Sequence, residues 1–338
     1  MKATSFLRHI LTATLLLISF EAGAQIIDKT VEVSKKAVSA IGDILDRQQQ
    51  KFLTKVDTNY IGNYRYPWRA MLMYNASDFS TSTSSEGLSA TLTTSATHRF
   101  TVGIGYQGLA LNYSYRAGKN IQSEAGILAY GRRFGFELKM YSSTRLKMDL
   151  TDDDGHHIVI PLEGYRYTTL LLDGYWVLNP RRFSFPAALS QSKRQKRSAG
   201  SILIGGAITS DNFMVEDPES VESGSLLSGA SAQYMLGAGY GYNWVPGNGR
   251  LLVHASLIPL YTLGDKEVTQ YKDKEKEITY PGRTAITGLG RTGIFYYWSD
   301  RFYSGLILTD RLCAYWENDN PVVYENSWYL RLPLIYRF

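Results

Sequence analysis

The sequence lacks the cysteines of a disulfide-bonded protein and the long apolar runs of a helical membrane protein. Its 338 residues include a single cysteine, Cys313, so no disulfide can form within the chain. After the amino-terminal region, no stretch approaches the ~18 uninterrupted apolar residues that mark a spanning helix. Any later membrane insertion must therefore use strands, whose backbone groups bond to one another.

The abundant residues are tyrosine, with 25, and glycine, with 30, in a chain that is 44% hydrophobic. In a transmembrane barrel only alternate residues face lipid, and aromatic residues accumulate at the two interfaces. The composition therefore permits a barrel without requiring one. The net charge of +5 has its main local source in "RQKRS" at residues 194–198, which we interpret as a solvated basic loop. Because no stacking platform accompanies it, we expect no nucleic-acid partner.

The first residues, "MKATSFLRHILTATLLLISFEAGAQ", have the layout of a secretory signal peptide. Lys2 and Arg8 lie in a basic start, an apolar run follows over residues 10–20, and small residues precede Gln25. The apolar run is too short for a spanning helix, which needs ~20 residues. We predict a signal peptide over residues 1–24, with cleavage near Ala24.

The pattern of the next segment is helical. Apolar residues fall on one stripe, and charged residues lie off it. We therefore predict a periplasmic helical segment over residues 25–59. The residues of the stripe are Ile27, Val31, Val38, Ile41 and Leu45.

From residue 60 onwards, apolar residues recur at every second position, which predicts strands. The connections alternate between short turns such as "VPGNG" and "WSDR" and long charged loops such as "DLTDDDGHH" and "GDKEVTQYKDKEKEITYPG". This asymmetry is typical of outer-membrane barrels. We predict an all-β fold, a transmembrane antiparallel up-and-down β-barrel of about twelve strands over residues 60–338.

The chain ends on an amphipathic strand, "NSWYLRLPLIYRF". Its apolar face resembles the signal that outer-membrane barrels present to their assembly machinery. We therefore expect outer-membrane lipid and the barrel assembly machinery as partners, and the bacterial outer membrane as the location. The residues of this predicted assembly signal are Leu332, Leu334, Tyr336 and Phe338.

Two stretches, "DTNYIGNYRYPW" at residues 57–68 and "RRFSFPAALSQSKRQKRSAGS" at residues 181–201, resemble an uncharacterised Bacteroidetes family, the domain of unknown function 4421. The resemblance covers most of the mature chain and implies an exported outer-membrane barrel. It implies no activity.

The sequence contains no convincing set of catalytic residues. A hydrolase would need serine, histidine and carboxylate groups in one place. His98 lies near Ser95 and His254 near Ser256, but both pairs are also ordinary strand residues, and no "GxSxG" elbow is present. The stretches "GIGYQG" and "GLGRTG" lack the following helix of a dinucleotide site. We therefore expect no catalytic residue and no cofactor.

Two charged stretches remain. The acidic and histidine residues of "DDDGHH", residues 152–157, are interpreted as a solvated loop tip, so we predict no metal site. Glu137, Lys139, Arg145 and Lys147 share the parity opposite Phe136, which predicts that they face the lumen.

Three functions stay open at this point. The first is an outer-membrane barrel that acts as a passive pore for small solutes or as a structural or binding barrel. The second is a lipid-acting outer-membrane enzyme. The third is a secreted soluble β-rich binding protein.

Overall fold

A computed structural model describes residues 56–85, 88–106, 109–115, 124–144, 146–215, 226–271, 274–279, 284–317 and 320–338. The predicted signal peptide and nearly all of the predicted helical segment lie outside these residues. Residues 57–338 form one compact unit. In the described part of the chain, no helix has the length and apolar character to cross a membrane.

The described residues form seventeen strands and one short helix, α1 (Phe185–Leu189). The strands are β1 (Ile61–Gly62), β2 (Trp68–Ser85), β3 (Leu88–Tyr106), β4 (Leu109–Tyr115), β5 (Glu124–Tyr130), β6 (Phe134–Ser143), β7 (Leu146–Asp152), β8 (His157–Leu162), β9 (Tyr165–Val177), β10 (Arg194–Gln195), β11 (Ala199–Val215), β12 (Leu226–Trp244), β13 (Leu251–Tyr271), β14 (Lys274–Thr279), β15 (Thr284–Tyr297), β16 (Phe302–Glu317) and β17 (Asn320–Arg337).

Fifteen of the described strands belong to one antiparallel sheet, which confirms the all-β prediction. The pairing order runs β2, β17, β16, β15, β13, β12, β11, β9, β6, β5, β4 and β3. β2 pairs with β17 along one side and with β3 along the other. β1 and β10 form a separate two-stranded sheet, in which Ile61 pairs with Gln195.

The three remaining strands of the large sheet extend it locally. β7 pairs with the first part of β3 and with β8, so these strands form a hairpin that ends in the turn "DDDG". β14 pairs with β13 alone among the described strands. The sequence analysis interpreted "DLTDDDGHH", residues 149–157, as a loop, whereas these residues form much of the hairpin.

Burial alternates along much of the long strands. In β11, Leu203 is buried, whereas its neighbours Ile202 and Ile204 are exposed. In β17, Arg331, Ile335 and Arg337 are buried, whereas Leu332, Leu334 and Tyr336 are exposed. Successive side chains of a strand point to opposite faces, so each strand has one buried and one exposed face.

The buried face differs from that of a typical water-soluble sheet protein, because charged side chains lie among its apolar ones. Three arginines, Arg69, Arg291 and Arg337, rank among the largest fully buried side chains. Phe100 and Leu263 are 63% and 65% exposed, respectively. Charged residues are rarely buried without partners, so the buried face needs a dense set of polar contacts.

The connection between β9 and β11 differs from its sequence reading. Residues 194–198 were interpreted as a solvated basic loop, but much of the connection over residues 178–198 is buried. Ser184 caps α1, because its side chain accepts a hydrogen bond from the Ala187 amide at 3.3 Å, and Pro186 lies in the first turn. Only Lys196 and Arg197 of the basic stretch are exposed.

Candidate functional site

Residues 183–193, which we call the buried segment, lie against the buried face of the sheet. Every residue of this segment is buried, and Phe185, Ala187 and Ala188 have no exposed surface. Phe183, Phe185 and Leu189 belong to the same apolar cluster as residues of ten strands. Burial of one such phenylalanine contributes about 1.5–3 kcal/mol.

Aromatic contacts fix the first half of the segment. The ring of Phe185 meets that of Tyr175 edge-on, with 4.3 Å between the centroids. It also meets the His254 ring at 5.3 Å, and the Arg291 guanidinium lies 5.8 Å from its centroid. Arg291 in turn forms a buried ion pair with Asp173 on β9. Three strands thus hold one aromatic side chain.

A chain of polar groups from β12 and β13 meets the segment. The Asn243 amide nitrogen donates to the Ser184 carbonyl oxygen at 2.9 Å and to Gln195 Oε1 at 3.1 Å. Asn243 Oδ1 must therefore be the acceptor toward His254 Nδ1, which lies 2.8 Å away. This assigns the proton to Nδ1, so that His254 Nε2 accepts from the Ser256 hydroxyl at 3.0 Å.

The second half of the segment is held by β15 and β17. The Tyr297 hydroxyl donates to Gln191 Oε1 at 2.6 Å. Arg337 donates to the Gln191 carbonyl oxygen and, at 3.1 Å, to the Tyr303 hydroxyl. Gln191 has a positive φ of 54°, a conformation that non-glycine residues seldom adopt, and these bonds hold it there.

The residues before β2 cover the segment from the other side. Lys193 Nζ donates to Asn63 Oδ1 at 2.7 Å, and the Tyr64 ring lies 3.4 Å from the Arg337 guanidinium carbon. Lys196 Nζ donates to the Thr58 carbonyl oxygen at 2.9 Å. Together with the β1–β10 pairing, these contacts join the amino-terminal part of the described chain to the segment.

On the same face of the sheet lies a cavity of about 90 Å³, which we call the polar cavity. Its walls carry serine and threonine hydroxyls, the cations Arg99, Lys139 and Arg311, and the carboxylate of Asp173. The Tyr329 ring, which also lines it, lies 5.9 Å from the Arg99 guanidinium carbon and 5.4 Å from Lys139 Nζ. Cations, hydroxyls and an aromatic ring are groups that bind small polar solutes.

The four residues predicted to face the lumen have different positions. Glu137 and Lys139 lie on β6, where they form an ion pair of 2.5 Å, and Lys139 lines the polar cavity. Arg145 lies outside the described residues. Lys147 is exposed on β7, because that strand pairs with β3 and β8 rather than continuing β6.

The predicted assembly signal lies on the exposed face of β17 and at the residue that follows it. Leu332, Leu334, Tyr336 and Phe338 are 39–48% exposed. Their alternation with the buried Arg331 and Arg337 leaves one continuous apolar face at the end of the chain.

The other sequence candidates lie apart from the cavity. His98 is exposed, and its Nδ1 lies 2.6 Å from the Tyr74 hydroxyl. In the β7–β8 hairpin, Asp152, Asp154 and His156 bring their oxygen and nitrogen atoms within 4.8 Å of one another. Hydrogen bonds from the His156 side chain and amide lower the pKa of Asp152. This cluster is a solvent-facing turn.

The sequence analysis did not predict that residues 183–193 are buried. The local signals of this segment are a serine cap before "FPAAL" and two phenylalanines in a connection otherwise rich in charge. Apolar residues in a connection predict packing against something, but they do not identify the partner surface.

The strands define an antiparallel sheet protein that resembles outer-membrane β-barrels. The chain belongs to the family described as Domain of unknown function (DUF4421), whose profile matches residues 55–338. The family resemblance drawn from the two sequence motifs is thus confirmed.

Solved structures with a similar fold share little sequence with this chain. The translocator domain of the autotransporter NalP from Neisseria meningitidis is 12% identical over 90% of this chain and 98% of that chain, with a TM-score of 0.36. The β domain of the Bordetella autotransporter BrkA is 10% identical over 80% and 99%, with a TM-score of 0.40. The outer membrane protease OmpT from Escherichia coli is 7% identical over 80% and 96%, with a TM-score of 0.36. No curated protein matches the sequence.

The anchoring role of Asn243 can be tested by cysteine accessibility. Ser192 is buried, and the native Cys313 has no exposed surface, so a Ser192→Cys protein should react slowly with a maleimide. Adding Asn243→Ala removes two hydrogen bonds to the segment and its surroundings, each contributing about 1 kcal/mol. The labelling rate should rise about tenfold or more.

Asn326→Ala, on an exposed position of β17, is the matched control and should leave the rate unchanged. Ser299→Cys, in an exposed turn, reports full reactivity. Equal labelling rates with and without Asn243→Ala would contradict the anchoring role.

The stability of the docked segment should depend on pH through Lys193. Burial, with a smaller effect from the Arg337 guanidinium, lowers the pKa of Lys193 from 10.5 to about 8. Between about pH 8 and 10.5 an exposed lysine holds a proton that the buried one has released, so docking strengthens as pH rises through this window. The temperature at which the folded band is lost in SDS should be higher at pH 9 than at pH 7.

A Lys193→Met variant has no proton to release, so its melting temperature in SDS should be the same at both pH values. A wild-type protein that loses its folded band at a lower temperature at pH 9 would show that Lys193 does not set the pH dependence.

Proposed function

We propose that this protein is a closed twelve-stranded β-barrel of the bacterial outer membrane, plugged by its own buried segment. We further propose that it acts as a binding barrel for small polar solutes in the polar cavity, rather than as a passive pore.

Closure is supported by the pairing of β2 with both β17 and β3. With the hairpin strands β7 and β8 and the extension β14 set aside, each of twelve strands then has two neighbours. An unpaired strand edge exposes backbone groups that lipid cannot hydrogen-bond, so a ring is the arrangement that a membrane requires.

A membrane location is supported by the exposed face of the strands. Leucine, tyrosine and isoleucine are the commonest large side chains on it, and Trp244, Trp298 and Phe338 lie exposed at one end. Such apolar bands flanked by aromatic residues are typical of outer-membrane barrels. A soluble β-rich binding protein would expose this face to water. The lipid-facing side of β17 suits the predicted contact with barrel assembly machinery.

The observation that carries the plug proposal is the complete burial of residues 183–193. A barrel of about twelve strands has limited internal space. A segment of eleven residues, held by β9, β12, β13, β15 and β17, would fill a large part of it. The polar cavity would then be a chamber on one side of the plug, with ligands bound by its hydroxyls and cations.

Planar-bilayer conductance tests the plug. The wild-type protein should give few or no stable current steps. A variant with residues 183–193 replaced by a glycine-serine linker of equal length should give frequent, stable steps, because the lumen is then open to ions. Heat-modifiable migration in SDS gels checks that each protein is folded.

The matched control replaces the exposed turn at residues 245–250 with glycine and serine, and it should conduct like the wild type. Wild-type conductance equal to that of the linker variant would favour the passive pore instead.

A second candidate function, a lipid-acting hydrolase, has one specific observation in its favour. Ser256, His254 and Asn243 are hydrogen-bonded in the order of a nucleophile, a base and an orienting group. His254 and Asn243 have no exposed surface, however, and Ser256 is 9% exposed, so a substrate would have to displace the buried segment. The anchoring role described above explains the same contacts.

Phospholipid hydrolysis in mixed micelles separates these two roles. Under the binding-barrel proposal the purified wild-type protein releases no fatty acid above the level of a Ser256→Ala variant. Release that is lost in both Ser256→Ala and His254→Ala, with folding retained, would establish the hydrolase.

A further inference from the structure

The end of the sheet at which β2 begins is strongly basic. The connections at this end are residues 57–67, 131–133, 178–198, 245–250 and 298–301. Apart from the buried Lys193, they contain ten basic residues and two acidic ones, whereas the whole chain has a net charge of only +5. The ten residues, which we call the basic rim, are Arg65, Arg132, Arg133, Arg181, Arg182, Arg194, Lys196, Arg197, Arg250 and Arg301.

The two acidic residues neutralise only a small part of this charge. Asp57 lies 3.6 Å from Arg182, and Asp300 lies 3.3 Å from Arg194. All ten basic side chains are exposed or half-buried. The rest of the chain is therefore net acidic, and the positive charge is concentrated at one end of the sheet.

The basic rim lies next to a row of aromatic side chains on the exposed face. Arg133 immediately precedes Phe134, whose ring stacks on that of Trp176 at 6.2 Å. Arg301 precedes Phe302 in the same way. Its guanidinium donates to the Tyr66 hydroxyl at 2.8 Å and to the Tyr336 hydroxyl at 3.3 Å.

Exposed tyrosine and tryptophan side chains mark the level of lipid headgroups in membrane proteins. With the exposed face in lipid, the basic rim would lie at the headgroups of one leaflet or just beyond them. This step rests on the membrane location proposed above.

We propose that the basic rim binds the anionic headgroups of phospholipids in the leaflet that surrounds this end of the barrel. Arginine donors match phosphate oxygens in pairs, and each basic residue near an anionic surface strengthens its attraction about fivefold. A shell of anionic lipid would fix the depth of the barrel in the membrane.

The distribution of the rim favours lipid over a protein partner. Its residues come from five connections that precede β2, β6, β11, β13 and β16, and no two of these strands pair with each other. One partner protein contacts a local patch, whereas lipid surrounds a barrel on all sides. The aromatic side chains next to the rim also favour lipid as the partner.

Tryptophan quenching by brominated lipids tests the proposal. The full mature protein is inserted into phosphatidylcholine vesicles that contain brominated phosphatidylglycerol or brominated phosphatidylcholine. At low salt, quenching should give a severalfold preference for phosphatidylglycerol. Because salt screens charges, 0.5 M sodium chloride should remove most of this preference.

The rim variant is Arg133→Gln with Arg250→Gln, two exposed positions. It should lower the preference at least fivefold or abolish it. The matched control is Lys147→Gln with Arg166→Gln, two exposed cations outside these connections, and it should change the preference less than twofold.

Equal quenching by both lipids in an inserted wild-type protein would overturn the proposal, as would equal losses in the rim and control variants. Binding of soluble poly-glutamate that depends on the rim, without any lipid preference, would also overturn it and indicate an acidic protein partner. A protein that neither lipid quenches is not inserted, and that result would count against the membrane location itself.

Discussion

Each long strand of this protein has a largely apolar exposed face and a buried face that mixes apolar and polar side chains, and the rest of the structure depends on how the buried polar groups are satisfied. The exposed face is apolar, whereas the buried face carries arginines such as Arg69, Arg291 and Arg337. A buried cation without partners costs several kcal/mol. The interior therefore needs its own acceptors, and it obtains them from carboxylates such as Asp173, from tyrosine hydroxyls and from backbone carbonyls.

The buried segment and the polar face stabilise each other. The segment brings carbonyl groups and amide side chains that would be unsatisfied in an apolar core, and the strands offer Asn243, Tyr297 and Arg337 to bond them. Its two phenylalanines fill the space between these anchors. In the part of the interior that the segment does not occupy, hydroxyls and charged side chains line the polar cavity. Polar side chains of the same interior thus hold the segment and line the cavity.

Charge along the chain follows the same division between ends. Basic residues gather in the connections at one end, and the β7–β8 hairpin carries Asp152, Asp153 and Asp154 at its turn. The separation of these two groups gives the molecule ends of opposite charge.

The sequence by itself determined most of the long strands and their faces, because side-chain alternation is a local property of the backbone. Leu332, Leu334, Tyr336 and Phe338 indicate which face of β17 is exposed without any knowledge of its neighbours, and two motifs sufficed for the family. Only the tertiary structure decided where residues 183–193 lie. Gln191 meets Tyr297 and Arg337 across 106 and 146 residues of sequence, and no local pattern encodes such contacts. The same holds for Lys147, which follows the pairing of β7 with β3 rather than the parity of β6.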